Sequence, residues 1–307
     1  MVILNNQRLV YQPMPDRPQV TWPDDKLVAV WHAPNVEHYD FMPPGHGSPQ
    51  GRVGAPDVEH YFQRDYGNRV GFWRMLRAVD KYAIPSTVSL SLQVLEEMPD
   101  IRDAMRERNW EVMSHGISNL RPIYGVSEEE ENAFYEESQL VAETYYGERI
   151  KGMLGPKISG TDVTCDLMVK HGMSYHADWI HDEQPRPLRT ESGAKLVSIP
   201  YSFMVNDVPL IYAKHYSWDF FVDLALTQIQ RLLRDAEEDG QGRVACIATH
   251  PFLSGQPGFQ SYLERIFDFV RSDERLWVTT AAEITDHYLE HHYDAQLAAA
   301  TRAGGDE

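Results

Sequence analysis

Cysteine is nearly missing from this chain of 307 residues: the two present, Cys165 and Cys246, stand far apart and in no metal-type spacing. A disulfide framework is thereby excluded, and two reduced, buried thiols in a reducing compartment are expected. Positive charge is also scarce. Lys and Arg total 28 against 46 Asp and Glu, a net charge of -18, which argues against a nucleic-acid partner, whose phosphates need clustered cations. No apolar run approaches a membrane span, and the start, Met1 to Arg8, lacks the charged n-region and apolar core of a signal peptide. A cytoplasmic protein with no membrane contact is expected. No Gly-x-Gly-x-x-Gly follows the first apolar run and no phosphate loop occurs, so nucleotide binding has no support. No internal repeat is visible. What remains is the ordinary composition of a globular protein, 42% hydrophobic and 24% charged.

Residues 1–25 carry Pro13, Pro15, Pro18 and Pro23 and read as an extended N-terminal arm on the surface. Residues 26–292 alternate strand-like and helix-like pieces. Strands are expected at Lys26 to Trp31, Ser86 to Ser91, Trp110 to Met113, Met153 to Leu154, Ser174 to Trp179, Leu196 to Pro200, Arg243 to Thr249 and Leu276 to Thr279. Helices are expected at Val70 to Tyr82, Val94 to Arg108, Ser127 to Tyr146 (opened by a capping box, with its acidic first turn favouring the dipole), Asp162 to His171, Trp218 to Glu238, Gln260 to Ser272 and Ala281 to His292. The Gly- and Pro-rich stretch from Pro43 to Ala55 reads as a long functional loop. Residues 293–307 read as a flexible tail. Such alternation predicts an α/β domain, a distorted (β/α) barrel of about seven parallel strands, with an open doubly wound sheet as the alternative.

Two apolar runs end in histidine. Trp110 to Met113 is followed by Ser114-His115-Gly116, and Val244 to Thr249 by His250-Pro251, where proline forbids continuation. Histidines at the C-terminal ends of barrel strands point into the mouth where active sites collect. The first strand leads to Asn35-Val36-Glu37.

In order along residues 20–292, Asn35-Val36-Glu37, Asn68 to Arg74, Ser114-His115-Gly116, Gly152 to Pro156, Asp178 to Pro185, Ile199 to Ser202 with Asn206-Asp207, and His250-Pro251 with Gly255-Gln256-Pro257 together resemble the polysaccharide deacetylase superfamily, carbohydrate esterase family four. The resemblance is nearest to its metal-independent allantoinase and cyclic-imide hydrolase branch. It implies a distorted barrel with an incomplete strand ring and hydrolysis of a carbon–nitrogen bond other than a peptide bond. It also implies an assembly of identical subunits, since the resembling hydrolases are commonly homo-oligomers. The chain departs from the metal-dependent members. Asn35 and Glu37 stand where those usually carry two Asp, Asn119 stands where the His-x-x-x-His pair ends, and Leu154-Gly155 replaces an Arg before Pro156.

The expected function is therefore hydrolysis of an amide bond in a small cyclic amide, imide or ureide. The alternatives are N-deacetylation of an acetylated amino sugar and a catalytically inactive binding protein of the same fold. Glu37 is the candidate base, provided burial raises its pKa towards neutrality. His115 is a candidate polar partner that orients water or polarises the carbonyl, and His250 the candidate acid. Asn35, Asn119, Arg121, Pro156, Trp179, Tyr201 and Asn206 are candidates for holding substrate, Arg121 as a clamp; Asn119 could equally cap a turn. Trp31 and Trp73 are read as core. No cofactor is favoured. One divalent metal such as zinc would draw on Glu37, His115 and Asn119, completed by His32, His38 or Asp65. His287, His291 and His292 read as surface. A dimer or tetramer is expected.

Overall fold

Along the first strand, β1 (Val28–Val36), side chains alternate between two apolar layers. Val28, Val30 and Val36 face the helices outside, whereas Ala29, Trp31 and Ala33 face inward, the two-residue period of a pleated strand. The computed structural model describes residues 7–42 and 55–303. The loop expected over Pro43 to Ala55 therefore lies, from 43 to 54, outside the described residues, as do 1–6 and 304–307.

Eight further strands follow: β2 (Thr87–Leu90), β3 (Glu111–Ser114), β4 (Gly152–Met153), β5 (Tyr175–His176), β6 (Arg186–Leu188), β7 (Leu196–Ser198), β8 (Arg243–Thr249) and β9 (Leu276–Thr279). They form one sheet in the order β6-β7-β5-β4-β3-β2-β1-β8. β8 runs along one edge of β1, and the other edge is shared between β9 near its start and β2 near its end. All pairings are parallel except β6–β7, the strand that the sequence did not suggest. The sheet curls into an incomplete barrel. Irregular segments span the gap beside β8, where Val244 N–H donates to the Glu183 carbonyl and Ala248 N–H to that of Val205.

The register sets the rim. Val36 is level with Leu90, Leu90 with Ser114, Ser114 with Met153, Met153 with His176 and His176 with Ser198. The next residue on each strand stands at the C-terminal mouth.

The helices cover the outer face. The expected helix over Val94 to Arg108 is broken into Val94–Glu97 and Pro99–Glu107, because proline disfavours helical backbone at the residue before it, and Met98 is extended towards φ -127° and ψ 66°. The capping box holds as read: Ser127 accepts from Glu130 N–H, and the helix over Glu128–Val141 follows. A helix at Val58–Tyr66, not expected from the sequence, continues through a π-helical turn at Gly67–Gly71 into Phe72–Lys81. That turn lies directly on the short helix Pro251–Ser254 that follows β8. A Cβ at Gly71 would stand 2.0 Å from the Pro251 carbonyl oxygen, and one at Gly255 2.3 Å from Gly71 Cα, so the two backbones touch where only glycine fits.

Residues 293–303 differ from expectation. Tyr293–Ala303 is a helix, with Tyr293, Gln296 and Ala300 buried, where a flexible tail was expected. The Gln296 amide accepts from Arg186 Nη1 at 2.6 Å and donates to the Pro18 carbonyl at 2.7 Å. The arm is anchored as well: Val20 and Trp22 are buried, and Trp22 Nε1 donates to the Arg243 carbonyl. His287 and His292, expected as surface residues, each hold the Thr21 carbonyl at 2.9 Å. Apolar anchors and backbone carbonyls on the arm, which accept from Gln296, His287 and His292, give the C-terminal helices an inner face that their polar sequence did not reveal. Both cysteines are free and buried, as expected.

Candidate active site

Period-two alternation carries three groups into the mouth. Glu37 continues Ala29, Trp31 and Ala33 on β1, His115 continues Met113 on β3, and His250 continues Val244, Cys246 and Ala248 on β8. All three are buried and converge. Glu37 Oε1 lies 3.8 Å from His115 Nε2 and 3.9 Å from His250 Nε2.

The histidine tautomers follow from their partners. His115 Nδ1 is 2.8 Å from the Leu154 carbonyl, which only accepts, so Nδ1 carries the proton. His250 Nδ1 lies 2.7 Å from Asp207 Oδ1, and the other Asp207 oxygen accepts from His250 N–H at 2.8 Å and Ser254 Oγ at 2.5 Å. Each ring thus turns Nε2 towards Glu37. In the neutral rings those atoms are acceptors.

Glu37 is held from both sides. Oε2 accepts from Arg64 Nε at 3.0 Å and Oε1 from Asn119 Nδ2 at 2.6 Å. Its backbone carbonyl accepts from Asn68 at 2.9 Å. Arg64 is itself buried between the Tyr39 and Phe252 rings, its guanidinium 4.4 and 4.1 Å from their centres. Burial alone pushes the Glu37 carboxyl up, but Arg64 first, then His250 and His115, hold it below its ordinary value of 4.5. The expectation that burial would raise it towards neutrality is therefore corrected: the Arg64 guanidinium and the groups beside it together outweigh desolvation. For His115 burial dominates and lowers its pKa, against the pull of Glu37, so the ring is neutral and offers a lone pair.

The other expected residues divide. Asn35 and Asn206 meet on the Tyr201 hydroxyl, at 3.0 and 3.4 Å, and Asn35 also donates to the Thr249 carbonyl just before His250. These form a buried layer beneath the site. Pro156 packs where a Cβ on Gly116 would stand, 2.9 Å from its Cγ. Trp179 is half-buried and donates to His176 Nδ1 at 3.0 Å beside Cys165, in a cavity of about 290 Å³. It is not in contact with the Glu37 group. Arg121 is not a clamp: half-exposed, it makes paired bonds to Glu137 at 2.9 and 3.2 Å, because its turn lies over the helix at Glu128–Val141. A cavity of about 560 Å³ lies behind the site, lined by His38, Tyr39, Arg64, Asn68, Trp73 and Glu97.

A metal finds a poor donor set. Asn119 presents its N–H₂ group to Glu37, not its oxygen, which accepts from Ser91 Oγ. His32 is locked between Ser86 and Thr249 at 2.9 Å each, its pKa pushed down to about 3 by burial. His38 faces Asp40 and Glu97, and Asp65 pairs with Arg69. Among the described residues no three His, Cys, Asp or Glu side chains are grouped to hold a metal ion.

Sequence reasoning missed Arg64 and Asp207. Asp207 had a signal, since it directly follows Asn206. Arg64 had none, being a charged residue of a polar helix.

Residues 56–176 match the sequence profile of the polysaccharide deacetylase family. A provisionally named polysaccharide deacetylase of Schizosaccharomyces pombe is 26% identical over 259 residues, covering 80% of each chain. A peptidoglycan deacetylase of Helicobacter pylori is 22% identical, covering 79% of this chain and 92% of its own. In three dimensions the chain is similar to PuuE allantoinase, with a TM-score of 0.79, 22% identity, and 94% and 97% of the two chains covered. At that identity the likeness speaks for the fold, which is the deacetylase-type incomplete barrel. The resemblance read from the sequence is borne out. Among the described residues no helix is long and apolar enough to cross a membrane.

Proposed function

We propose that this chain, a hydrolase of the polysaccharide deacetylase superfamily, opens a small cyclic amide, imide or ureide at a ring C–N bond without a metal. The observation that carries this reading is the Arg64–Glu37–Asn119 arrangement. A guanidinium already neutralises the carboxylate that would anchor a dication, and an amide N–H₂ occupies the place of a further ligand. Hydrolytic zinc usually needs three protein ligands.

In this mechanism a water lies between Glu37 Oε1 and the imidazole Nε2 atoms. Their separations of 3.8 and 3.9 Å are too long for direct bonds and suit one shared water at about 2.8 Å from each. The water oxygen adds to the carbonyl carbon while Glu37 takes its proton. His250, oriented by the Asp207 carboxylate, acts as the acid: it gives an Nε2 proton to the leaving nitrogen as the C–N bond breaks, and the proton held on Glu37 then restores it. His115, neutral with Nδ1–H committed, accepts at Nε2 from the water or a ring N–H. It cannot polarise a carbonyl in that form. Glu37, His115 and His250 are at most 8% exposed, which suits a small ring better than a broad polymer.

Sugar N-deacetylation is the second reading, favoured by the family match over residues 56–176. Incubation of the purified protein with hydantoin, succinimide, allantoin and N-acetylglucosamine oligomers separates the two. Ring opening with a new carboxylate supports the first, acetate release the second, and binding without turnover would overturn both. We place the enzyme in the cytoplasm, as its composition suggests.

A further inference from the structure

We propose that Asp178 positions His115 through an intervening peptide bond, a role that rests on His115 belonging to the hydrolytic site. The Leu154 carbonyl that accepts from His115 Nδ1 at 2.8 Å and the Gly155 N–H that donates to Asp178 Oδ1 at 2.6 Å belong to the same peptide unit. That unit is clamped between an imidazole donor and a carboxylate acceptor. A charged acceptor on the N–H side polarises the amide and makes its oxygen a better acceptor, because hydrogen bonds in a chain reinforce one another at low dielectric. His250 has a carboxylate bonded directly to its Nδ1; His115 has one at a single peptide's remove.

The surroundings are built for this contact. Leu154 N–H donates to the Ser114 carbonyl at 2.9 Å, which ties the unit to the strand that ends at His115. A Cβ at Gly155 would stand 2.6 Å from Asp178 Oδ2 and 2.6 Å from the Ser159 carbonyl, so glycine is what lets the carboxylate approach. Asp178 Oδ2 lies 3.2 Å from His176 Nε2, and Trp179 Nε1 donates to His176 Nδ1 at 3.0 Å. The indole thus makes Nδ1 an acceptor and leaves the His176 ring proton on Nε2, which lies close to the Asp178 carboxylate without a hydrogen bond to it. The Gly155 backbone N–H holds the carboxylate on one side, and the His176 ring, fixed in turn by Trp179, lies against its other oxygen. Trp179, expected to wall the substrate, acts in this network.

The test compares Asp178→Ala and Asp178→Asn in the full chain with ¹⁵N-histidine labelling, His115→Gln serving to assign the ring signals. In the wild type we expect His115 as the Nδ1–H tautomer with a slowly exchanging ring proton. In Asp178→Ala that proton should exchange faster and the Nε2–H tautomer should appear. kcat should fall about 10- to 100-fold, the scale of a misoriented catalytic group, with KM within about twofold. Asp178→Asn, which keeps a neutral oxygen for Gly155 N–H, should restore the tautomer and most of kcat. An unchanged His115 tautomer and ring-proton exchange in Asp178→Ala, or a loss confined to KM, would overturn the proposal. The spectroscopic readout needs no substrate. A protein that turns over no amide would therefore count against the hydrolase reading while the labelled spectra still decide the relay.

Discussion

Arg64 Nε donates to Glu37 Oε2 at 3.0 Å across 27 residues of sequence, and both side chains are at least nine-tenths buried. This pair bears on the charge of Glu37. It lowers the carboxyl pKa that burial alone would raise.

Removing the cation should therefore invert the pH dependence of stability. In the wild type the folded carboxyl lies below its unfolded value. Its contribution is present above the unfolded pKa and is lost as pH falls through the folded one. In Arg64→Met the first-listed opposition to burial is gone and the folded pKa should rise above the unfolded one, so stability should fall as pH rises. A destabilisation of about 3–5 kcal/mol at neutral pH is expected, the usual cost of leaving one member of a buried pair. Urea unfolding at acid and neutral pH checks it. A variant no less stable at neutral pH than at acid pH would show that Arg64 does not govern Glu37.

Glu37→Gln should lower kcat by about 10²–10⁴, the range for removing a general base, while the chain stays folded, since an amide oxygen still faces Arg64. In the wild type any acid limb of kcat/KM that belongs to Glu37 should lie below its ordinary value of 4.5. Kinetics alongside thermal unfolding measure both. Full activity in Glu37→Gln would remove the carboxylate from the mechanism.

Exhaustive chelation should leave turnover intact, because Arg64 and Asn119 already satisfy Glu37. Stoichiometric zinc in the purified protein, with activity lost on chelation and regained on adding zinc, would make the metal-free mechanism untenable.

Gly71→Ala should damage stability and catalysis together. Its methyl group would meet the Pro251 carbonyl, a backbone atom next to His250 that cannot swing aside. About 1–3 kcal/mol or more is expected for overpacking, with a fall in kcat as the His250 loop shifts. An active variant of unchanged melting temperature would contradict the backbone contact.

The chain should assemble into a dimer or tetramer. Phe41, Tyr61 and Phe62 form an aromatic cluster, and Phe62 and Met42 are more than half exposed, the kind of apolar surface that marks interfaces. Light scattering at micromolar concentration decides it, and a species of only 35.3 kDa would be the monomer that refutes the expectation.

The sequence by itself determined the parallel strands of the barrel, though not β6, and the three groups at its mouth. Apolar runs at β1, β3 and β8 stop where polar residues begin, and the two-residue period of a strand then places Glu37, His115 and His250 on the inner face. Those are local properties, readable without knowing what lies opposite. Tertiary structure decided what the groups are chemically. Whether Glu37 is a raised or a lowered carboxyl depends on Arg64, a charged residue in a polar helix that sequence reads as solvated. Its burial goes with the close approach at Gly71 and Gly255, where the helical run that carries it presses on the segment after β8. Arg121 went the opposite way, to Glu137 on the outer surface, for the same reason: a charge takes its role from the partner the fold brings within reach, and patterning along one chain does not encode that distance.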